Sequence, residues 1–140
     1  MSDRQPDLII KAGRVFCPDT GLDGPGAVAI MDGRITASGA GVSGQAKEIL
    51  DFPDAVLLPG LVDLHAHPAP MGWRFGIDGD TEILPRGTTT VLSQGDAGAE
   101  TWSVYLATII EPSLLRVRLA MSPPSRASTR TGAASLTWMR

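Results

Sequence analysis

Cysteine is nearly absent from this chain of 140 residues, which contains only Cys17. A single thiol cannot form an internal disulfide, so a disulfide-stapled secreted scaffold is excluded and a reducing compartment is predicted. Basic residues are not in excess either, because 12 Lys and Arg stand against 15 Asp and Glu, a formal net charge of −3. We therefore do not expect nucleic-acid binding.

Long apolar runs are also missing. No stretch approaches the ~20 consecutive apolar residues of a membrane helix, and the charged residues around Ile9 and Ile10 do not have the order of a secretory signal. We expect a soluble, cytoplasmic chain that does not bind membranes. With 43% hydrophobic residues it can form a globular core, but its length excludes a complete β/α barrel, which needs roughly 250 residues.

Residues 1–58 have the pattern of a small β-domain, with short β-branched and aliphatic runs bounded by turn residues. The pair Asp32-Gly33 predicts a hairpin over residues 27–38, because tight primed turns need two positive φ angles. Six glycines are predicted to mark loops, since none forms a strand–GxGxxG–helix arrangement: Gly21, Gly24, Gly26, Gly39, Gly41 and Gly44. The predicted strands are Leu8–Lys11, Arg14–Phe16, Ala27–Met31, Arg34–Ser38, Glu48–Asp51 and Ala55–Leu58.

Residues 59–120 have the pattern of a parallel α/β fold. A continuous apolar strand follows Pro59-Gly60, as expected of a strand buried on both faces, and further strands are predicted at Thr88–Ser93 and Leu114–Ala120. A helix is predicted between Gly98 and Pro112, where apolar residues recur at spacings of three and four. Its predicted buried stripe is Trp102, Tyr105, Leu106, Ile109 and Ile110.

Residues 121–140 form a polar tail with Arg126, Arg130 and Arg140, no acidic residue and no apolar period. One interpretation is a flexible terminus. The other is that the reading frame was lost near residue 121, so that the tail is not native sequence. We favour the second, because the chain stops just after a third barrel-like strand.

Candidate chemistry is concentrated in Asp63-Leu64-His65-Ala66-His67. Side chains alternate along a strand, so Asp63, His65 and His67 should share one face. Two imidazoles about 6–7 Å apart along a strand can converge on one cation. A catalytic zinc usually has three protein ligands and a water, so this is half a metal site. The alternative is two ordinary polar residues at a strand end.

The run Leu58-Pro59-Gly60-Leu61-Val62-Asp63-Leu64-His65-Ala66-His67-Pro68 resembles the first-barrel-strand motif of the amidohydrolase superfamily, Pro-Gly-hydrophobic-hydrophobic-Asp-x-His-x-His. Residues 7–15 and 30–35 are similar to the small β-domain that precedes the barrel in this superfamily. Residues 87–91 and 96–99 are similar to the second strand and following loop of its dihydroorotase-like and deacetylase branch. The resemblance covers about residues 7–120 and stops at the tail.

The resemblance implies the N-terminal fragment of a metal-dependent amidohydrolase, a small β-domain followed by the first strands of an incomplete (β/α)8 TIM barrel. Its implied substrate is a small-molecule amide or cyclic amide, whose C–N bond is hydrolysed. His65 and His67 would bind a divalent metal, most simply zinc. The family's bridging lysine, further histidines and proton-shuttling aspartate cannot be located, since the chain has two histidines and its lysines, Lys11 and Lys47, precede the barrel. No catalytic residue is therefore assigned.

Four further residues are weaker site candidates. Asp63 can orient a histidine or cap local backbone amides. Gln94 and Asp96 follow the second strand, where barrels place active sites, and can contact substrate or cap the loop. Arg74 can hold an anionic substrate group with its bidentate fork or be a solvated loop residue.

Three hypotheses follow. The chain is an amidohydrolase fragment that is inactive alone, or a non-catalytic metal-binding module, or an interaction protein that pairs with a separately encoded barrel remainder. The exposed edge of the third strand, Leu114–Ala120, also predicts self-association.

Overall fold

The chain divides into two compact units, Met1–Pro59 and Gly60–Arg140. The computed structural model describes residues 4–70 and 76–122. Arg74 and residues 123–140 of the predicted tail lie outside the described residues. Among the helices that are described, none is long and apolar enough to span a membrane.

The first unit is a four-stranded sheet in the order β3-β2-β1-β4. Its strands are β1 (Leu8–Cys17), β2 (Leu22–Met31), β3 (Arg34–Gly39) and β4 (Glu48–Leu57). β1 runs antiparallel to β2 and parallel to β4, and β2 runs antiparallel to β3. The predicted hairpin is confirmed, because Asp32 and Gly33 join β2 to β3 with φ angles of 52° and 71°.

The prediction that β1 and β4 are each broken into two strands is wrong. Both strands are continuous, and the β1–β4 register shifts between Ala12 and Arg14. Gly13 lies in this shift against the backbone of β4, where an added Cβ would overlap the carbonyl oxygen of Pro53. Gly13 and Pro53 therefore belong to a local irregularity of a continuous ladder instead of ending their strands.

Small clusters of buried apolar side chains form the core of this unit. Ile9 packs with Ala27 and Ala29, and Val15 packs with Val28. Because neighbouring residues of a strand point to opposite faces, Val28 and Ala29 lie on opposite faces of the sheet.

The second unit contains a parallel three-stranded sheet in the order β5-β6-β7. Its strands are β5 (Leu61–Ala66), β6 (Thr88–Gly98) and β7 (Arg116–Ser122). The β5–β6 connection contains a π-helical turn, Gly79–Ile83, and a 3₁₀ turn, Leu84–Arg86. The β6–β7 connection contains helix α1 (Trp102–Tyr105), which continues as a π-helical turn, Leu106–Ile110. Sequential parallel strands with helical crossovers are the arrangement at the start of a β/α barrel.

Two burial predictions for this unit are wrong. The prediction that β5 is buried on both faces is wrong: Leu61, Val62 and Leu64 are exposed, because the described elements leave these side chains uncovered. Trp102 was expected in the buried stripe and is 38% exposed, whereas Tyr105 is buried. The helical segment widens after Tyr105, so the spacing of a regular α-helix does not hold along it.

Candidate metal site

The two histidines lie together at the C-terminal end of β5. His65 is the penultimate residue of the strand and His67 follows its last residue. Their ring centroids are 5.4 Å apart, and the rings meet edge to face at 71°. The structure therefore brings the two imidazoles to one place, as side-chain alternation predicts.

A buried carboxylate holds one of these rings. Asp96 Oδ1 lies 2.6 Å from His67 Nδ1, and the Asp96 side chain is 1% exposed. β5 and β6 are parallel neighbours, so their C-terminal ends lie side by side. Near its own end β6 has an irregular register and a positive φ of 79° at Gly95. Such an irregularity can re-aim a side chain, and the side chain that follows Gly95 is that of Asp96.

Two hydroxyl groups complete a buried network around this carboxylate. Ser93 Oγ donates to Asp96 Oδ2 at 2.6 Å. Tyr105 OH donates to Ser93 Oγ at 2.8 Å and lies 3.4 Å from Asp96 Oδ2. Burial raises the pKa of Tyr105 to about 12, so the phenol keeps its proton at neutral pH.

Asp63 and Gln94 contact backbone atoms of β5. Asp63 Oδ1 accepts a hydrogen bond from His65 N at 2.9 Å. Gln94 Nε2 donates to Leu64 O at 2.8 Å. The carboxylate that touches an imidazole is thus that of Asp96, while Asp63 and Gln94 hold the strand that carries the histidines.

Sequence reasoning did not include Ser93 or Tyr105 in the site. Tyr105 was assigned to the helix core, where its ring does lie, with Val91, Leu115 and Val117. A usable signal was present, because a buried tyrosine usually needs a hydrogen-bond partner for its hydroxyl. Which partner it has depends on how α1 packs on β6.

The imidazole nitrogens suit part of a metal site. Because Nδ1 of His67 contacts Asp96, a metal on this ring would bind through Nε2, with the carboxylate behind it as ligating histidines commonly have. Over residues 4–70 and 76–122, no three or more His, Cys, Asp or Glu side chains cluster closely enough to hold an ion. These residues therefore supply two nitrogen ligands, one fewer than a catalytic zinc site usually takes from the protein.

Another carboxylate of this unit has a structural role. Asp80 accepts hydrogen bonds from the backbone N of Leu114 at 3.0 Å and of Leu115 at 3.3 Å, and from Ser113 Oγ at 2.7 Å. These bonds, chiefly that from Leu114, hold the pKa of Asp80 below its usual value. Asp80 ties the turn after β5 to the segment that enters β7.

No family model matches the chain. Among curated proteins, it is 40% identical over 60 residues to the dihydroorotase of Streptococcus pneumoniae, an alignment that covers 43% of this chain and 14% of that protein. It is 32% identical over 84 residues to an allantoinase of Desulfitobacterium hafniense, and this alignment covers 58% of this chain and 18% of the allantoinase. The matched regions thus span less than a fifth of these relatives.

Solved structures of similar proteins superpose on this chain as well. A dihydroorotase superposes with a TM-score of 0.69 at 28% identity, over 84% of this chain and 31% of that one. An adenine deaminase superposes with a TM-score of 0.68 at 26% identity, over 84% of this chain and 30% of the deaminase. D-aminoacylase, a protein with a binuclear metal centre, superposes with a TM-score of 0.51 at 25% identity, over 63% and 18%.

These similarities confirm the resemblance to the amidohydrolase superfamily. They also confirm the predicted fold class, a small β-domain followed by the first strands of a TIM barrel.

Proposed function

We propose that this chain is part of a metal-dependent amidohydrolase that hydrolyses the C–N bond of a small-molecule amide or cyclic amide. The observation that carries the proposal is the pairing of the His65 and His67 rings at the end of β5, with His67 held by a buried carboxylate. The relatives named dihydroorotase and allantoinase support the same class of reaction. A cytoplasmic location is part of this proposal.

The proposed metal ligands are His65 and His67, and zinc is the proposed ion because imidazole nitrogens are among its preferred ligands. A bound divalent ion would act as a Lewis acid toward the amide carbonyl. The chain's own residues prepare the ligands. Asp96 holds the ring of His67, and Asp63 accepts a hydrogen bond from the backbone of His65.

Zinc binding by the full, untagged chain tests this proposal. We expect a calorimetric titration to show micromolar binding that His65→Ala and His67→Ala each abolish, because two ligands cannot be reduced to one without loss of the chelate. Asp54→Asn, which changes an exposed carboxylate of β4, is the control and should bind as the unmodified chain does. A chain that binds no zinc, or alanine variants that bind it equally well, would overturn the proposal.

The isolated chain should not turn over substrate, since its described residues supply only two ligands. We expect no hydrolysis above background when the zinc-loaded chain is incubated with dihydroorotate or N-acyl amino acids. Measurable turnover that depends on His67 would show that this ligand set is sufficient and contradict the expectation.

A second candidate function is interaction through the exposed edge of the barrel sheet. Leu61, Val62 and Leu64 are exposed on β5, one of the two edge strands of the described sheet. Exposed apolar edge strands readily pair with another chain, either a separately encoded barrel remainder or a second copy.

Sedimentation of the purified chain tests the self-association form of this idea. Leu64→Lys should lower the average mass, because it places a charge on the exposed edge. Ile35→Lys is the matched control, since Leu64 and Ile35 are both 69% exposed but Ile35 lies in the first unit. Equal effects of the two variants would argue against the β5 edge as the contact.

A further inference from the structure

We infer that Ser93 and Tyr105 are positioning residues of the proposed metal site: acting through Asp96, they hold His67 in the tautomer that carries its proton on Nδ1 and presents Nε2 as the ligating atom. The consequence for metal affinity rests on the proposed function. The tautomer itself does not, because it is a property of the metal-free chain.

The direction of the hydrogen bonds carries the inference. The Tyr105 hydroxyl has one proton and gives it to Ser93 Oγ, and the Ser93 hydroxyl gives its own proton to Asp96 Oδ2. A carboxylate oxygen accepts, so the contact of Asp96 Oδ1 with His67 places a proton on Nδ1. In the neutral ring the acceptor nitrogen is then Nε2.

Burial makes the network depend on each member. Ser93 is 0% exposed, Tyr105 is 6% exposed and the Asp96 side chain is 1% exposed. Water has little access to replace a lost hydroxyl, and hydrogen bonds in such surroundings are stronger than at a surface. A missing donor therefore leaves Asp96 with fewer constraints on its orientation.

The packing of α1 and a contact in the loop before it place the Tyr105 hydroxyl. The aromatic ring lies in the core of the second unit, beside Val91 and Val117. Three residues separate α1 from the end of β6, and Gly98 N donates to Thr101 Oγ1 at 3.0 Å where the chain turns from the strand into the helix. The hydroxyl is thus brought to Ser93 by the packing of α1 against β6.

Substitutions separate this role from simple packing. Tyr105→Phe keeps the ring in the core and removes only the hydroxyl. Ser93→Ala removes the direct donor to Asp96 and leaves Tyr105 OH at the longer 3.4 Å contact. We expect Ser93→Ala to have the larger effect, about a tenfold loss of zinc affinity, which is the lower end for residues that orient a ligand.

The primary experiment is a nitrogen–proton correlation spectrum of the histidine rings, recorded on the metal-free full chain. The chain has only two histidines, and His65→Ala assigns them. We expect His67 to be protonated on Nδ1 in the unmodified chain, and to become a mixture of tautomers in Ser93→Ala and, less strongly, in Tyr105→Phe.

Thr108→Ala is the matched control. It removes a hydroxyl from the same helical segment, where Thr108 Oγ1 donates to Val104 O at 2.7 Å, outside the network. We expect it to leave the His67 signals unchanged. The second readout is competitive zinc titration of the same four proteins, in which Thr108→Ala should match the unmodified chain.

The outcomes distinguish the two proposals. If His67 keeps the Nδ1–H tautomer in folded Ser93→Ala and Tyr105→Phe, the inference is wrong, regardless of the measured zinc affinities. If Ser93→Ala does not fold, Tyr105→Phe decides alone. If the unmodified chain shows the expected tautomer and both variants disturb it, but no zinc binds, the proposed function fails and the positioning of His67 stands.

Discussion

The two units of this chain differ in where their polar contacts lie. In the part of the first unit that the structure describes, three ion pairs lie at the surface: Arg4–Asp32, Arg14–Asp23 and Lys47–Asp7. The second unit also has an exposed pair, Arg86–Glu82, but in addition it has a set of polar contacts that converge on the buried side chain of Asp96. Exposed ion pairs contribute little to stability, whereas a satisfied buried network defines one geometry. The abundance of charge pairs in a unit therefore does not indicate where its chemistry lies.

The largest effect should come from removing the buried carboxylate. Asp96→Ala removes the carboxylate that Ser93 Oγ and Nδ1 of His67 contact, and the buried site that held it, which should cost about 3 kcal/mol of the free energy of unfolding. Urea denaturation measures this loss. Asp23→Ala, which breaks the exposed pair with Arg14, should change the stability far less. Similar losses of the free energy of unfolding in the two variants would show that the buried contacts of Asp96 stabilise the chain no more than an exposed ion pair does.

A backbone clash should give the next largest effect, in the first unit. Gly13→Ala places a Cβ against the carbonyl oxygen of Pro53, where backbone must move to make room. We expect a loss of about 1–3 kcal/mol in the free energy of unfolding, the usual cost of overpacking. Gly41→Ala is the control, because a Cβ there meets no atom within 4 Å. An unchanged unfolding midpoint in Gly13→Ala would show that the β1–β4 contact is not tight.

Alkaline pH should weaken the second unit through Tyr105, the single tyrosine of the chain. Its pKa is about 12 in the folded chain against 10.0 for an exposed phenol. A pKa raised on folding stabilises the fold below pH 10, and this contribution is lost as the pH rises toward 12. Ultraviolet titration of the tyrosine should show the raised pKa. Tyr105→Phe should remove the part of the loss in the free energy of unfolding at alkaline pH that comes from this phenol. A phenol that titrates normally in the folded chain would show that it is not buried.

The smallest effect should be an acid-dependent loss at Asp80. Its pKa is lowered from 3.8 on folding, so its contribution is present above pH 3.8 and is lost as the pH falls through the folded value. Asp80→Asn should make the midpoint of urea unfolding less dependent on pH in this acidic range. If the urea midpoint of Asp80→Asn falls with acid as much as that of the unmodified chain, other carboxylates are responsible for the acid dependence.

Features set by neighbouring residues were predictable. The Asp32-Gly33 turn follows from two positive φ angles, and the shared side of His65 and His67 follows from alternation along an extended strand. The continuity of β1 was not predictable, because Gly13 ends a strand or sits in an irregularity depending on what the neighbouring strand places beside it. The exposure of β5 likewise depends on which elements cover it.

The sequence by itself determined the local geometry of the candidate site, because the period of a strand and the conformations open to glycine act over a few residues. Only the tertiary structure decided that Asp96, 29 residues from His67, is the carboxylate that holds it, and that Ser93 and Tyr105 stand behind it. Those contacts depend on the register of β5 against β6 and on the packing of α1. The register and the packing are both set by the burial of many side chains at once, so no short run of residues determines them.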